Sequence, residues 1–224
     1  MPFTPHDREL LRTLAARMAE LSQLPIQRER AGQIAAVNEL RATRPSVLVF
    51  PEGSWREIIP DSSLQCSDPL ARQWELALRA RILVDEQFDT DQPVVRQFGI
   101  GWVFTRAGLG VSENIHRSDE PHGAYNWEPP IKEFADLGKL RYSPPTVDRN
   151  ESQRRLALAA ETFGDLLEVK LAGHFWWTVG LTMTLIKLRG LEQCMMDMYD
   201  NPSFLHELMA FLRDSMLREM EWFE

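Results

Sequence analysis

The stretch LLEVKLAGHFWWTVGLTMTLIKLRGLEQCMMDMYDNP, residues 166–202, carries the reading of the fold. LLEVKLA, an apolar run, reads as a short strand. It ends at Gly173, passes through His174-Phe175-Trp176-Trp177, and continues into a Met- and Leu-rich segment with helical spacing. A strand that turns at glycine into a helix is α/β logic, and the turn lies at the carboxyl edge of a parallel sheet. Ligands sit at that edge in such folds. Gly173 lets the backbone turn or approach a ligand closely. His174 can bind a carboxylate or move a proton, and Trp176 and Trp177 can stack on a flat substrate. A bland alternative stays open, in which the tryptophans pack under the next helix and His174 is an ordinary polar residue.

The pattern on either side supports this alternation. Upstream, TVDRNESQRRLALAAETFGD reads as a helix with Asp148 as its cap, Leu156, Leu158 and Phe163 facing inward, and Gly164 as its stop. Before it, residues 93–105 have strand composition. Downstream, two helices are predicted over 178–199 and 202–223, separated by Asp200-Asn201-Pro202. The order strand, helix, strand, helix predicts parallel strands. The first 92 residues read differently, as a helical layer. Helices are predicted over 5–22 and 26–42, the second with Ile26, Ile34, Val37 and Leu40 inward. A buried extended segment is predicted over 46–50, and a helix starting at Pro69 with Leu70, Trp74, Leu78 and Ile82 on one face. The expected organisation is therefore a helical layer, 1–92, before a (β/α) barrel segment, 93–224.

Residues 108–130 lack periodicity and are rich in Gly, Pro, Ser, Asn and His. A loop of that length is usually functional or mobile. His116, His122, Tyr125 and Trp127 could therefore belong to a lid over a substrate, although a solvated loop with incidental histidines explains them equally. Glu52, Trp55, Arg56 and Glu57 read as a structural corner anchored by Trp55. No GxxxxGK[ST], GxSxG or HExxH sequence occurs.

The 224 residues are 44% hydrophobic and 26% charged, with a formal net charge of −8. An acidic balance argues against nucleic acid or an anionic membrane as the main partner. The two cysteines, Cys66 and Cys194, form neither a disulfide framework nor a CxxC pair. The charged start MPFTPHDREL is not a secretory signal, and no run reaches the length of a membrane span. A cytoplasmic location is expected. The chain stops at MLREMEWFE inside a helical pattern, and a closed barrel needs eight strands. The segment thus reads as the first part of something longer.

Several stretches together resemble the uroporphyrinogen decarboxylase superfamily: RPSVLVFPEGSWREIIP, LQCSDPLARQWELALRARI, WEPPIKEFADLGKLRY, VDR, FGDLLEVKLAG and LRGLEQCMMDMYDNPSFLHELMAFLRD. They look like the branch of corrinoid-dependent methyltransferases, and the likeness covers most of residues 45–215. It implies a (β/α)8 TIM-type barrel, here its N-terminal half, with its site at the carboxyl ends of the strands. It also implies one-carbon transfer with a corrinoid protein as partner. Zinc would be held by an H-x-C…C pattern in the later half, and no H-x-C occurs here. This segment is expected to bind no cofactor itself and to supply walls for a small-molecule substrate: Trp102, Phe104, the 108–130 loop, and His174 to Trp177. The decarboxylases of the superfamily carry an R-Q-A-G-R segment that holds propionates, and TRAGLG (105–110) departs from it. Porphyrinogen decarboxylation remains an alternative, with Arg96 and Arg106 as its cations. A third reading is a non-catalytic subunit whose open strand edges and apolar face are covered by self-association or by a second half-barrel chain.

Overall fold

Thr4 and Pro5 start the first helix as their chemistry dictates. The computed structural model describes residues 3–41, 44–119, 123–173, 176 and 178–223. In it the Thr4 hydroxyl accepts a hydrogen bond from the Asp7 N–H at 3.1 Å, opening α1, Pro5–Ser22. Asp68 does the same for Leu70 and Ala71, at 2.8 and 3.1 Å, opening α4, Pro69–Gln87. Between them lie α2, Pro25–Asn38, and the short α3, Trp55–Ile58. Strand β1, Gln97–Gly101, precedes a hairpin of β2, Asn114–Arg117, and β3, Tyr125–Glu128. Next come α5, Arg149–Phe163, and β4, Glu168–Ala172. Three helices complete the described chain: α6, Thr182–Arg189; α7, Leu191–Asp200; and α8, Pro202–Phe223. The chain is mixed α/β, with helix predominating.

Two compact units interleave along the sequence: residues 1–101 with 150–172, and residues 102–149 with 173–224. The expected boundary at 92/93 falls inside the first of them. In that first unit, α1 packs on α4, and β1 pairs with β4 in parallel, Gln97 opposite Glu168 through Gly101 opposite Ala172. Leu11, Met18, Trp74, Leu78, Phe98 and Phe163 form the centre of its core. Their helical or alternating spacing is the reason these segments fold onto one another. Trp74, Phe98 and Phe163 meet edge to face, with ring centroids 4.9–5.8 Å apart.

Two carboxylates are wholly buried in this unit. Glu75 accepts hydrogen bonds from the N–H groups of Gln65 and Cys66 and from Arg79. Asp7 accepts from the Ser67 N–H at 2.8 Å, the Ser67 hydroxyl at 3.0 Å and the Asp68 N–H at 3.1 Å. Burial pushes the Asp7 carboxyl up, but these hydrogen bonds outweigh it and hold the group below its ordinary value. A carboxyl depressed in the folded state contributes stability above its unfolded pKa and loses it as pH falls through the folded one. The urea midpoint is therefore expected to hold from neutral pH and to drop below about pH 4. Asp7→Asn should lower the neutral midpoint and flatten the acid decline. An unchanged acid slope in that variant would show that Asp7 is not a source of it.

Two expectations for the first unit are corrected. Residues 46–50 form no strand and are not buried: Val47, Leu48 and Phe50 are exposed. One carboxylate holds this segment instead. Asp91 accepts from the Val47 N–H at 2.8 Å and from both Arg44 terminal nitrogens at 2.7 Å, while its own N–H donates to the Val47 carbonyl. Ile26 in α2 and Leu40 beyond its end are exposed, and Gln27 is the buried residue of the helix. Its amide spans two elements, donating to Asp85 at 2.8 Å and accepting from the Val94 N–H at 2.7 Å.

In the second unit, the core is built on Ile131, Leu185, Leu188, Phe204, Leu208 and Leu212. The helix expected over 178–199 is broken. Gly190, at φ +87°, ends α6 and begins α7, a conformation in which a side chain is strained. Arg189 and Asp197 close the break from inside. The guanidinium donates to the carboxylate at 2.6 and 3.0 Å and to the carbonyls of Ile131 and Lys132. On the far side of α7, Met195 and Met198 are more than half exposed. The region expected to be irregular, 108–130, contains the antiparallel β2–β3 hairpin, with Ile115 opposite Trp127 and His116 opposite Asn126.

Candidate functional site

The segment that follows β1 does not continue as a regular strand. Residues 103–109 run antiparallel to residues 141–148, through bridges at Phe104–Val147 and Gly108–Ser143. The Thr105 N–H donates to the Thr146 carbonyl at 2.9 Å, and the Asp148 N–H donates to the Val103 carbonyl at 2.8 Å. Alternation along such a ribbon sends Trp102, Phe104 and Arg106 to the same side. The far end of α8 brings Trp222 and Phe223, two turns beyond Ser215 on a helix whose buried residues run through Leu208, Leu212 and Ser215.

These elements enclose a concavity of about 640 Å³, walled by Trp102, Phe104, Val147, Arg149, Trp222 and Phe223. Phe223 is its hub. Phe104, Trp176 and Trp222 each meet its ring nearly perpendicular, at centroid distances of 5.3, 5.2 and 4.8 Å. Edge-to-face contacts of this kind fix ring orientation. The Arg149 guanidinium lies 5.8 Å from the Trp102 ring centre, within the range of cation–π attraction. The volume suits a small-molecule ligand. Its walls suit a flat, largely apolar body, and Arg149 suits a carboxylate or phosphate at one edge. The one hydroxyl in the wall, that of Thr146, is engaged with the Thr105 hydroxyl at 2.9 Å. Among the described residues the wall offers aromatic faces and one cation, and it presents no activated nucleophile.

Of the residues expected to bind substrate, Trp102, Phe104 and Trp176 come together around Phe223. Those on the hairpin stand apart from this concavity. His116 is exposed on β2, Trp127 is half-buried on β3, and Tyr125 is exposed under the Arg117 guanidinium, 5.2 Å from its ring centre. None of the three lines the cavity. Their segment is a paired hairpin rather than the irregular loop that was expected. His122, His174 and Trp177 lie outside the described residues. Arg96 is exposed on the first unit and donates to the carbonyls of Leu166 at 2.7 Å and Asp165 at 3.3 Å.

Trp222 and Phe223 escaped the sequence reading. Their signal was the continuation of the α8 stripe, since positions 215, 219 and 222–223 share a helical face. Among the described residues no three His, Cys, Asp or Glu side chains come together as metal ligands. No helix among them is long and apolar enough to cross a membrane. No protein-family model, curated protein or solved structure matches the chain.

Proposed function

We propose that the chain is part of a uroporphyrinogen decarboxylase-like (β/α) barrel of the kind that transfers one-carbon units with a corrinoid partner, its small-molecule substrate held in the aromatic concavity. The observation that carries this reading is the concavity itself. Trp102 and Phe104 follow strand β1, Trp176 follows strand β4, and both converge on Phe223. In parallel α/β folds the segments after the strands build the site. The parallel pairing of β1 with β4, with α5 between them in sequence, supports the barrel reading. In this scheme Trp102 and Trp222 sandwich the planar part of the ligand, Phe104 and Phe223 exclude water from it, and Arg149 fixes its anionic edge.

The test is equilibrium dialysis of the purified chain against hydroxocobalamin and methylcobalamin, whose planar corrin the mouth of the concavity would receive beside the substrate. Saturable binding is expected, and Trp102→Ala or Phe223→Ala should each weaken it by about tenfold or more. Absence of saturable binding, or equal binding by both variants, defeats the corrinoid reading.

A further inference from the structure

A second cavity in the same unit, about 260 Å³, is formed by other residues. Its lining includes Arg106 and Leu109 from the ribbon, Tyr142 from the facing strand of that ribbon, and Leu212, Met216 and Glu219 from α8. The Tyr142 hydroxyl is buried and has no hydrogen-bond partner among the described residues. Leaving a buried hydroxyl unpaired costs about 1–3 kcal/mol, so its retention points to an acceptor that arrives from outside. Burial first, and the charge of Glu219 second, push the phenol above its ordinary pKa. It therefore stays protonated, and its O–H is free to donate to an incoming acceptor. The Arg218 guanidinium, 5.8 Å from the ring centre, helps hold the ring in place.

The charges in this cavity are of both signs. Arg106 and Glu219 line it together, yet among the described residues neither forms an ion pair. One cation, one anion and a phenol donor stand beside an apolar wall of Leu109, Leu212 and Met216. That set matches a ligand carrying both charges and an apolar tail. The volume lies below the roughly 300–1,000 Å³ of drug-sized sites, which restricts the ligand to a small molecule.

We propose that this cavity binds a zwitterion of the apolar α-amino-acid class. The carboxylate accepts from Arg106 and from the Tyr142 hydroxyl, the ammonium donates to Glu219, and the side chain packs on Leu109, Leu212 and Met216. This goes beyond the reading of the aromatic concavity and does not depend on it, because the two cavities share no lining residue.

Isothermal titration calorimetry on the full chain tests it, with L-leucine and L-methionine as probes. Leucinamide, which lacks the carboxylate, and isocaproate, which lacks the ammonium, serve as comparisons. Both amino acids are expected to bind, and each analogue to bind leucine's site about tenfold or more weakly. Arg106→Gln should erase the preference for leucine over leucinamide, and Glu219→Gln the preference over isocaproate. Tyr142→Phe should weaken leucine several-fold while the thermal midpoint of the free chain does not fall. The proposal is overturned if neither amino acid binds at up to about 10 mM, if the analogues bind as tightly as leucine, or if Tyr142→Phe leaves affinity unchanged. That last result would mean that water satisfies the phenol.

Discussion

Replacing Asp197 with alanine is expected to destabilise the second unit by about 3–5 kcal/mol. Asp197 is wholly inaccessible, and Arg189 is 7% exposed. The Arg189 guanidinium holds the Asp197 carboxyl below its ordinary value, against the opposing push of burial. The carboxylate also accepts from Gln193 at 3.1 Å and Asn201 at 3.3 Å, which ties together both ends of α7. Removing it strands a guanidinium in the core, over the Phe204 ring at 4.5 Å. The cost is thus that of an unpaired buried charge, not merely of a lost ion pair. A paired substitution separates the two: Arg189→Met with Asp197→Leu should recover much of the loss, since apolar replacements of buried pairs are often close to neutral. Urea unfolding followed by circular dichroism reads both variants. A loss below about 1 kcal/mol for the single substitution would mean that the pair behaves as an exposed one.

Phe163→Ala is expected to cost the first unit about 3–5 kcal/mol, the usual toll for emptying a phenylalanine site in a core. Phe163 is fully buried at the last turn of α5, and its ring meets Trp74 and Phe98 edge-on. Those two rings come from α4 and β1, so the cavity would open where helix and sheet layers meet. Neither can shift far, because Trp74 is also fixed by Phe3 at 5.2 Å and Phe98 by the β1–β4 register. Phe163→Leu should cost markedly less, since it retains most of the apolar volume. Hydrogen exchange on peptides from α1 and α4 would localise the effect. Unchanged protection there would show that α5 is not integral to this core.

These expectations rest on features of unequal legibility. Helices α1 and α4 could be read because Thr4-Pro5 and Asp68-Pro69 are start signals with direct chemical causes, and because Leu11, Met18, Trp74 and Leu78 recur at helical spacing. Strand β4 could be read from its short apolar run and the glycine after it. The β2–β3 hairpin could not, because both strands are four residues long and largely exposed, leaving no alternation between core and solvent to detect. Gly190 was read through as an interior helical residue, since its positive φ leaves no mark in the sequence beyond the residue type. At the site, Trp102 and Phe104 were visible as aromatics within the strand expected over 93–105, and Trp176 as one just after the strand that ends at Gly173. Phe223, which meets both Phe104 and Trp176, lies 119 residues after Phe104 in the chain (223 − 104), and local periodicity carries no information about such a meeting.

The interleaving of the two units also sets an order of events during synthesis. Gln97 and Glu168, partners at the start of the parallel pair, are 71 residues apart. Nearly all of the intervening stretch, residues 102–149, belongs to the other unit. At roughly 5–20 residues per second of elongation, β1 waits about 4–14 s on the ribosome for its neighbour. Over that interval α1 and α4 have emerged with Leu11, Trp74 and Leu78 still lacking the cover that α5 supplies. Helix formation takes only about a microsecond, so helical segments of the nascent chain present an open apolar face over that interval. The first unit can close only when residue 172 has cleared the exit tunnel.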